Sequence, residues 1–464
     1  MKHFTLTYKL PAVLPFTGRG KFLVFVLRLL YGLVGLFYGK KWIAPPEGFE
    51  ENPAYFGFKD VLFLGYKYYI QPPYEFGEKL ENHFRDQDLN FKLPEGFVQE
   101  SSLSITAGGD LMPYARISRE NTRHLWDEVG EWFFGADIVT ANLETPVFPD
   151  KPASLVPEVM LSNMLFNGSE AMFSVFNGNG QFKGYDVLST ANNHSFDMGR
   201  DGVSETIKFL EKQKIAFTGT ARTARERHEF PVVEKKGIRT AFIAYTYSLN
   251  QFEVPAGESW LVNHIRLNLP EPDLSEVKEL VSVAHSRGAD LVVLFLHTGN
   301  AYQPYPSEHT VAVYHRLFEE CGVDVILGSH PHNPQPMEKY VFSCPFSGIK
   351  KQGFAIYSLA DFVAYDIFVW DRLVPLLKLT VVKGNLQGKP HTQLAGVEVL
   401  PVFNWGNPDG KEIRFFNLKK LINEKGETSF PSYFTPACRK EALYLNGFCD
   451  RYFIRDKQKK VIVK

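Results

Sequence analysis

Several apolar runs in this sequence are followed at once by side chains that commonly bind metal ions. These side chains are Asp110, Glu144, Asn193 with His194, His297, and His330 with His332. Carboxylates, an amide oxygen and imidazoles form a mixed oxygen and nitrogen donor set. Such a set suits Mn, Fe or Zn ions better than a purely thiolate or purely oxygen site would. The residue types therefore indicate metal-assisted hydrolysis.

The runs that precede these side chains have the composition of buried strands, since they are short and rich in β-branched residues. They cover residues 103–107, 136–141, 185–191, 291–296 and 323–327, and helical patterns cover residues 119–134, 201–214, 273–287 and 307–321. Alternation of strands and helices predicts an α/β domain. In open α/β sheets the carboxyl ends of the strands line the ligand crevice, so we expect the strand-end residues to converge there. Later strands are predicted at residues 354–359 and 376–382, the second at a sheet edge.

Each strand-end residue has an ordinary alternative explanation when it is taken alone. Asp110 follows two glycines and fits a turn, Glu144 fits a surface loop, and His297 fits a hydrogen-bonded core histidine. Their common placement at strand ends is what favours a metal site. The set is large enough for two ions about 3.5–4 Å apart that share a carboxylate, an arrangement that activates water and holds a phosphoryl group.

Pro331 separates the two histidines of the last motif. Because proline has a fixed φ and disfavours helical backbone in the residue before it, we expect His330 to be extended.

Six motifs in this order carry a family resemblance: GGDLM, ANLET, ANNHSFDMG, LHTGNAY, GSHPHNPQPMEKY and YSLADF. Together they resemble the CapA proteins of poly-γ-glutamate capsule synthesis, a branch of the calcineurin-like metallophosphoesterases. The resemblance covers about residues 101–383. It implies a metallophosphoesterase-like α/β fold, in which a sandwich of two sheets is flanked by helices.

The resemblance also implies two divalent metal ions, with Mn, Fe and Zn as the candidates. Asp110 and His332 resemble ligands of one ion, and Glu144 takes the place of the bridging carboxylate. The residues that resemble ligands of the other ion are Asn193, His297 and His330.

Three further residues take roles from the same resemblance. His194 would be the acid that faces the leaving-group oxygen, and Asp197 would orient it by accepting its other N–H. Arg116 matches an arginine often found after the first motif and would contact an anionic substrate, although an ordinary surface arginine is an equal alternative.

The sequence departs from the family pattern at several positions. Met112 stands where ordinary metallophosphoesterases have a histidine, so one ion would have a thinner ligand shell. Thr298 and Ala301 replace residues typical of the substrate wall, and Ala360-Asp361 stands where Gly-Asn is usual. None of these differences removes a proposed ligand.

The sequence divides into an N-terminal extension at 1–100, the CapA-like domain at 101–383 and a C-terminal extension at 384–464. Residues 22–38 are apolar apart from Arg28, and no small-residue cleavage site follows them. A membrane contact, a buried core helix and an oligomer-contact helix are alternatives for this run. The protein would accordingly be cytoplasmic or membrane-associated at the cell envelope.

Composition excludes one large class of function. Lys and Arg number 51 against 52 Asp and Glu, so the basic excess typical of nucleic-acid-binding proteins is missing. The four cysteines lack metal-knuckle spacing, and buried free thiols are expected.

We therefore expect a metal-dependent hydrolase of a phosphoester or a related anionic small molecule or polymer. The alternative is a non-catalytic or amide-directed accessory protein of surface-polymer synthesis or export. The sequence leaves open the substrate, the identity of the metals and the oligomeric state.

Overall fold

Helices and strands alternate through most of the chain in the computed structural model, which describes residues 11–12, 17–42, 44–46, 48–51, 57–71 and 77–463. Within them the α-helices are α1 Gly18–Tyr38, α2 Phe58–Ile70, α3 Glu78–Arg85, α4 Gly130–Phe134, α5 Glu170–Phe176, α6 Gly199–Gln213, α7 Ser275–Ser286, α8 Glu308–Cys321, α9 Leu418–Leu421 and α10 Pro436–Phe448. The strands are β1 Phe97–Leu111, β2 Ile138–Asn142, β3 Val187–Ser189, β4 Ala216–Thr218, β5 Val232–Lys235, β6 Ile238–Thr246, β7 Leu291–His297, β8 Val325–Ser329, β9 Pro334–Ser343, β10 Lys350–Leu359, β11 Asp361–Phe362, β12 Leu373–Leu386, β13 Lys389–Gly406 and β14 Ile413–Asn417.

β1 is central in the first sheet, whose strand order is β14-β13-β12-β1-β2-β3-β4, and β11 also pairs with β1. Because β1, β2 and β3 are parallel, their carboxyl ends lie at one edge. The pairing places Asp110 beside both Asn142 and Asp361. Gly109 permits this close approach, since a Cβ there would lie 1.9 Å from the carbonyl oxygen of Ala360.

The second sheet has the order β5-β6-β7-β8-β10-β9, with β6, β7, β8 and β10 parallel. β7 is buried along its whole length, which explains why its sequence is continuously apolar instead of alternating. Its last residue, His297, pairs with Ser329 at the end of β8. His297, at the end of β7, and the two histidines that follow β8 therefore lie at the same edge of the sheet.

The two sheets share a buried core. Ala107 of β1 belongs to one apolar cluster with Ile243 of β6 and Val293 of β7. A second cluster joins Val139 of β2 to Leu210 of α6. The predicted α/β class, with two sheets flanked by helices, is confirmed. All four cysteines are buried and free, as expected.

The helix predicted over residues 119–134 forms only at its end, as α4, and residues 119–129 are successive turns. The carbonyl groups of Asn121 and Leu125 accept hydrogen bonds from the N–H groups of Ile413 and Phe415 in β14, at 2.8 and 3.2 Å. These carbonyls are engaged by the edge of the first sheet and do not complete a helical ladder. The helical pattern was therefore overridden by a pairing partner almost 300 residues away in the chain.

The prediction that residues 376–382 form an edge strand is wrong. They belong to β12, which lies between β1 and β13. β13 and β14, from the segment predicted as a C-terminal extension, continue the first sheet beyond it.

The apolar run at residues 22–38 lies within α1, which packs one face against α2. The guanidinium of Arg28 donates to the carbonyl oxygen of Tyr69 in α2 at 2.7 Å, so this charge faces protein. The opposite face is open, with Leu36 and Phe37 80% and 79% exposed. Only 11% of the most apolar 18-residue window of α1 is buried, so α1 is not a core helix. Membrane contact and oligomer contact remain as the alternatives for this run.

Candidate metal centre

The predicted metal ligands lie together at the carboxyl ends of the strands. Among the described residues, two buried groups at this edge have candidate ligand atoms within 4.8 Å of one another: Asp110, Glu144 and His297, and Asp110, His332 and Asp361. Asp110 belongs to both groups, whereas Glu144, the bridge implied by the resemblance, belongs to one. The geometry thus places the Asp110 carboxylate between two adjoining candidate ion positions.

Glu144 is a fully buried carboxylate that lies close to other acidic side chains. Neither of its oxygens has a hydrogen-bond partner among the described residues, and His297 Nε2 lies 3.4 Å from Oε1. Burial, and then the charges of Asp110 and Asp361, raise the pKa of Glu144 well above its usual value. Burial and Asp361 likewise raise the pKa of Asp110. A cation would relieve both the missing partners and the mutual repulsion, so these residues fit a divalent ion.

His297 and Asn193 direct a nitrogen and an oxygen toward each other. His297 Nδ1 lies 2.8 Å from the Ser329 hydroxyl, and its Nε2 lies 2.9 Å from Asn193 Oδ1. The Asn193 amide nitrogen donates to Asn250 Oδ1 at 3.1 Å, which orients its oxygen inward. Burial, and then His330, lower the pKa of His297 well below its usual value, so the ring is neutral, as a metal ligand must be.

His330 has one nitrogen free for an ion and the other held by the protein. Its Nδ1 is buried without a hydrogen-bond partner. Its Nε2 lies 3.0 Å from the Tyr247 hydroxyl and 3.1 Å from Oε1 of Glu50. A carboxylate that accepts the second N–H of a ligand histidine fixes its tautomer and orientation. Glu50 therefore presents Nδ1 of His330 to the centre.

Glu50 is a candidate site residue that the sequence did not reveal. It follows no strand and lies in an irregular segment, with a left-handed φ of 62°. Its second carboxylate oxygen accepts the backbone N–H of Ala301 at 2.9 Å, which fixes the side chain from both ends. No motif or periodicity in residues 45–100 could have indicated this contact.

Asp361 is a second candidate site residue that was not among the predicted metal ligands. Its Oδ1 lies 2.8 Å from His332 Nδ1, and its Oδ2 accepts the Tyr114 hydroxyl at 2.5 Å. Asp361 thus lies beside Asp110 and His332, at the candidate ion position whose ligand shell Met112 was expected to thin. The Asp361 carboxylate would either bind an ion at this position directly or hold Nδ1 of His332 and leave Nε2 for the ion.

The turn that carries the two histidines is strained. His330 has φ 101° and His332 has φ 59°, so the expectation of an extended His330 is wrong. Left-handed backbone in residues other than glycine costs about 1–3 kcal/mol each and concentrates at functional sites. The backbone N–H of His330 donates to Asp110 Oδ2 at 3.1 Å, which helps to hold the turn. This tertiary contact outweighs the local preference that Pro331 imposes.

His194 and Asp197 form a buried pair next to this centre. His194 Nδ1 lies 2.6 Å from Asp197 Oδ2, which also accepts the Phe166 N–H at 2.7 Å. The imidazole stacks on the Phe166 ring with centroids 3.7 Å apart. The ring is therefore fixed in position and in tautomer, with Nε2 left for a group in the cavity.

Arg116 is not brought to the site. Its guanidinium lies 5.7 Å from the Tyr365 ring and next to Gly410, in the turn between β13 and β14. It is not among the residues that line the cavity beside the centre. The structure thus gives Arg116 the surroundings of a surface arginine.

A cavity of about 70 Å³ adjoins the centre and is lined by His194, His330 and His332. Glu50, Leu64 of α2 and Tyr302 form part of its wall. The N-terminal segment therefore covers the site directly.

The family of the chain is shown by a match to the model of the bacterial capsule synthesis protein PGA_cap, over residues 104–366. This is more than half of the chain. The chain belongs to the PGA_cap family. The CapA-like resemblance expected from the six motifs is confirmed.

Curated relatives of this PGA_cap chain include the capsule biosynthesis protein CapA of Bacillus anthracis, 24% identical over 57% of this chain and 60% of that protein. The PGA biosynthesis protein CapA of Bacillus subtilis is 24% identical over 56% of this chain and 63% of its own length. A probable polyglutamine synthesis accessory protein of Mycobacterium tuberculosis is 26% identical over 33% of this chain and 41% of that protein. The chain thus spans less than two thirds of the length of each of these relatives.

A solved structure, the calcineurin-like phosphoesterase YfkN of Bacillus subtilis, is similar with a TM-score of 0.34 and 15% sequence identity. The similarity covers 75% of this chain and 99% of that chain.

Glu50 lies outside the residues that match the PGA_cap model. We expect Glu50→Ala to weaken Mn²⁺ binding about 10–100-fold, the usual loss when the partner of a ligand histidine is removed. Glu50→Gln should lose less, because its amide oxygen can still accept the His330 N–H. Calorimetric titration of chelator-treated protein with Mn²⁺ measures this.

The neighbouring Glu51 supplies the matched control. Glu51→Gln changes the same charge one residue away, where no contact with His330 is seen, and should bind Mn²⁺ as the wild type does. Equal affinity in Glu50→Ala and wild type would show that Glu50 does not position His330.

Proposed function

We propose that this PGA_cap protein is a dinuclear metal-dependent hydrolase of a phosphoester or a related anionic substrate in surface-polymer synthesis. The observation that carries the proposal is the sharing of Asp110 by two buried ligand groups. The His194–Asp197 pair lies beside them, and His194 lines the same cavity. An acid and two adjoining cation positions are the parts that hydrolysis of a phosphoester requires.

Each part has a separate task in this proposal. The residues that would hold the divalent ions are Asp110, Glu144, Asn193, His297, His330 and His332, with Asp361 beside them. Ions bound there lower the pKa of water and offset the charge of an anionic group.

His194 protonates the leaving-group oxygen from Nε2, while Asp197 keeps the other ring N–H engaged. The Phe166 stack holds the ring in the position from which it transfers this proton. Leu64 and Tyr302 in the cavity wall limit the access of bulk water.

The names of the two Bacillus relatives, which refer to capsule biosynthesis and to PGA biosynthesis, support a role in polymer synthesis. The small cavity favours a substrate that inserts a compact group, and the imidazoles in its mainly apolar wall supply polar contacts for that group. We assign the substrate to the class of phosphoesters because the two adjoining cation positions match the charge of a phosphoryl group.

The test is metal analysis of the purified protein followed by hydrolysis screens with phosphomonoesters and phosphodiesters in added Mn²⁺. We expect at least two ions per chain and turnover that chelation removes and Mn²⁺ restores. Metal binding without hydrolysis of any phosphoester, in a protein that hydrolyses amide substrates or none, would favour the accessory role. Absence of bound divalent metal would overturn the proposal.

We also propose that α1 lies on a membrane surface with its open face in the lipid. With 21 residues the helix is about 31 Å long and apolar enough to cross a bilayer by length and composition. Its other face, however, is held by α2 through the bond from Arg28 to the Tyr69 carbonyl. Exposed Lys40 and Lys41 at its end suit anionic headgroups. A helix that keeps one face on protein is better placed on the membrane than across it.

Flotation with vesicles of phosphatidylglycerol and phosphatidylcholine tests this contact. We expect Leu36→Glu combined with Phe37→Glu to reduce the bound fraction at least about fivefold, since two charges enter the lipid-facing side. Val98→Glu, at a residue 65% exposed on β1, is the control and should float as the wild type does. If the wild type stays unbound and instead forms dimers that the double variant dissociates, α1 is an oligomer contact.

A further inference from the structure

We propose that His83, His315 and Glu338 form a separate binding site for a divalent ion of the Zn²⁺ class. The residues come from α3, α8 and the edge strand β9, and their ligand atoms lie within 4.8 Å of one another. None of them lines the cavity of the proposed hydrolytic centre. The site is therefore independent of the proposed function.

Two imidazoles converge on one carboxylate oxygen. Nε2 of His315 and Nε2 of His83 lie 3.0 and 3.1 Å from Oε1 of Glu338. Tetrahedral Zn²⁺ has bonds of about 2.0–2.2 Å to nitrogen and oxygen, which sets its ligand atoms roughly 3.3–3.5 Å apart. Small side-chain shifts would thus place these atoms around an ion.

His83 adds an observation that points to a ligand. Its Nε2 is shielded from solvent and lies 3.1 Å from Glu338 Oε1, but it is not aligned to donate a hydrogen bond to that oxygen. A simple hydrogen-bonded cluster would use this nitrogen, whereas a cation between the nitrogen and the oxygen would satisfy both.

Surrounding residues hold the three side chains in place. The Tyr357 hydroxyl donates to Oε2 of Glu338 at 2.6 Å, which leaves Oε1 for the ion. The His315 ring stacks on Tyr340 with centroids 4.0 Å apart. Burial alone raises the pKa of Glu338, but the two imidazoles lower it to about 2, so the carboxylate is charged at neutral pH.

The site has an open side. The side chains of His83 and His315 are 29% and 24% exposed, so water can take the fourth coordination position. An ion there would join α3 to the second sheet and to α8. α3 follows the N-terminal segment with Glu50 and Leu64, which covers the hydrolytic centre. An ion bound to α3 would therefore stabilise the packing of that segment against the rest of the protein.

Zn²⁺ titration of the chelator-treated full-length protein tests the site. We expect His83→Gln and His315→Gln each to bind one equivalent of Zn²⁺ less than the wild type. Zn²⁺ should also slow tryptic cleavage after Arg85, at the end of α3, several-fold in the wild type and not in either variant. Glu144→Gln should retain this protection, which separates the site from the hydrolytic centre.

His124→Gln is the matched control, because His124 is an exposed histidine paired with Asp127. It should keep the wild-type stoichiometry and protection. The two variants lie on different helices, so a folding defect in one, seen by circular dichroism, leaves the other decisive. Unchanged Zn²⁺ stoichiometry and unchanged protection in His83→Gln and His315→Gln would overturn the proposal.

Discussion

Glu144→Gln is expected to leave the metal-free protein folded and to remove most of its stabilisation by Mn²⁺. Glutamine has the shape of the protonated carboxyl, and the raised pKa of Glu144 favours that protonated form when no ion is bound. The substitution therefore costs the metal-free protein little. It removes, however, a carboxylate whose two oxygens accept no hydrogen bond from the part of the chain that the structure describes and could bind an ion.

The measurement is thermal unfolding with and without Mn²⁺. A ligand at 100 times its Kd stabilises the folded state by about 2.7 kcal/mol, so the wild type should show a clear rise in Tm. Glu144→Gln should show little of this rise, and Glu120→Gln, at an exposed carboxylate, should show all of it. A full Mn²⁺ response in Glu144→Gln would exclude Glu144 as a ligand.

His194→Gln is expected to reduce turnover about 10²–10⁴-fold, the usual contribution of a positioned general acid, while the metal content stays unchanged. The residue contacts Asp197 and Phe166, and it belongs to neither of the two ligand groups that contain Asp110. Its loss should therefore affect proton transfer and not ion binding.

The choice of leaving group makes this test specific. A nitrophenolate leaves without protonation, so His194→Gln should lose much less activity on a nitrophenyl phosphoester than on an alkyl phosphoester. Asp197→Asn should show the same pattern with a smaller loss, because it disturbs the tautomer of His194 and keeps the ring. Equal losses on both substrates would contradict the role of His194 as an acid.

The site residues that could be predicted from local sequence are those that lie at the end of a strand. Asp110, His297 and His330 each follow an apolar run, and parallel pairing then brings the runs to one edge. The α/β class followed from the alternation of strands and helices, and the arrangement in two sheets followed from the family resemblance. Local order along the chain was sufficient for these features.

Features that depend on distant pairing were not predictable from local patterns. Asp361 reaches Asp110 through β11, a strand of two residues that is too short for any periodicity. The segment at residues 119–129 has a helical pattern, but its carbonyls are taken by β14. Glu50 reaches His330 across 280 positions of sequence.

Glu50 shows that the limits of the family match differ from the limits of the residues that support the metal centre. The family match ends at residues 104 and 366, and it encloses all of the strand-end ligands. The centre, by contrast, takes one of its supports from residue 50, and the sheet beneath it continues to residue 417. A fragment cut at the limits of the match would contain every predicted ligand and lack both its outer support and its outer strands. The stretch of sequence that matches the family is therefore shorter than the stretch of chain that supports the metal centre.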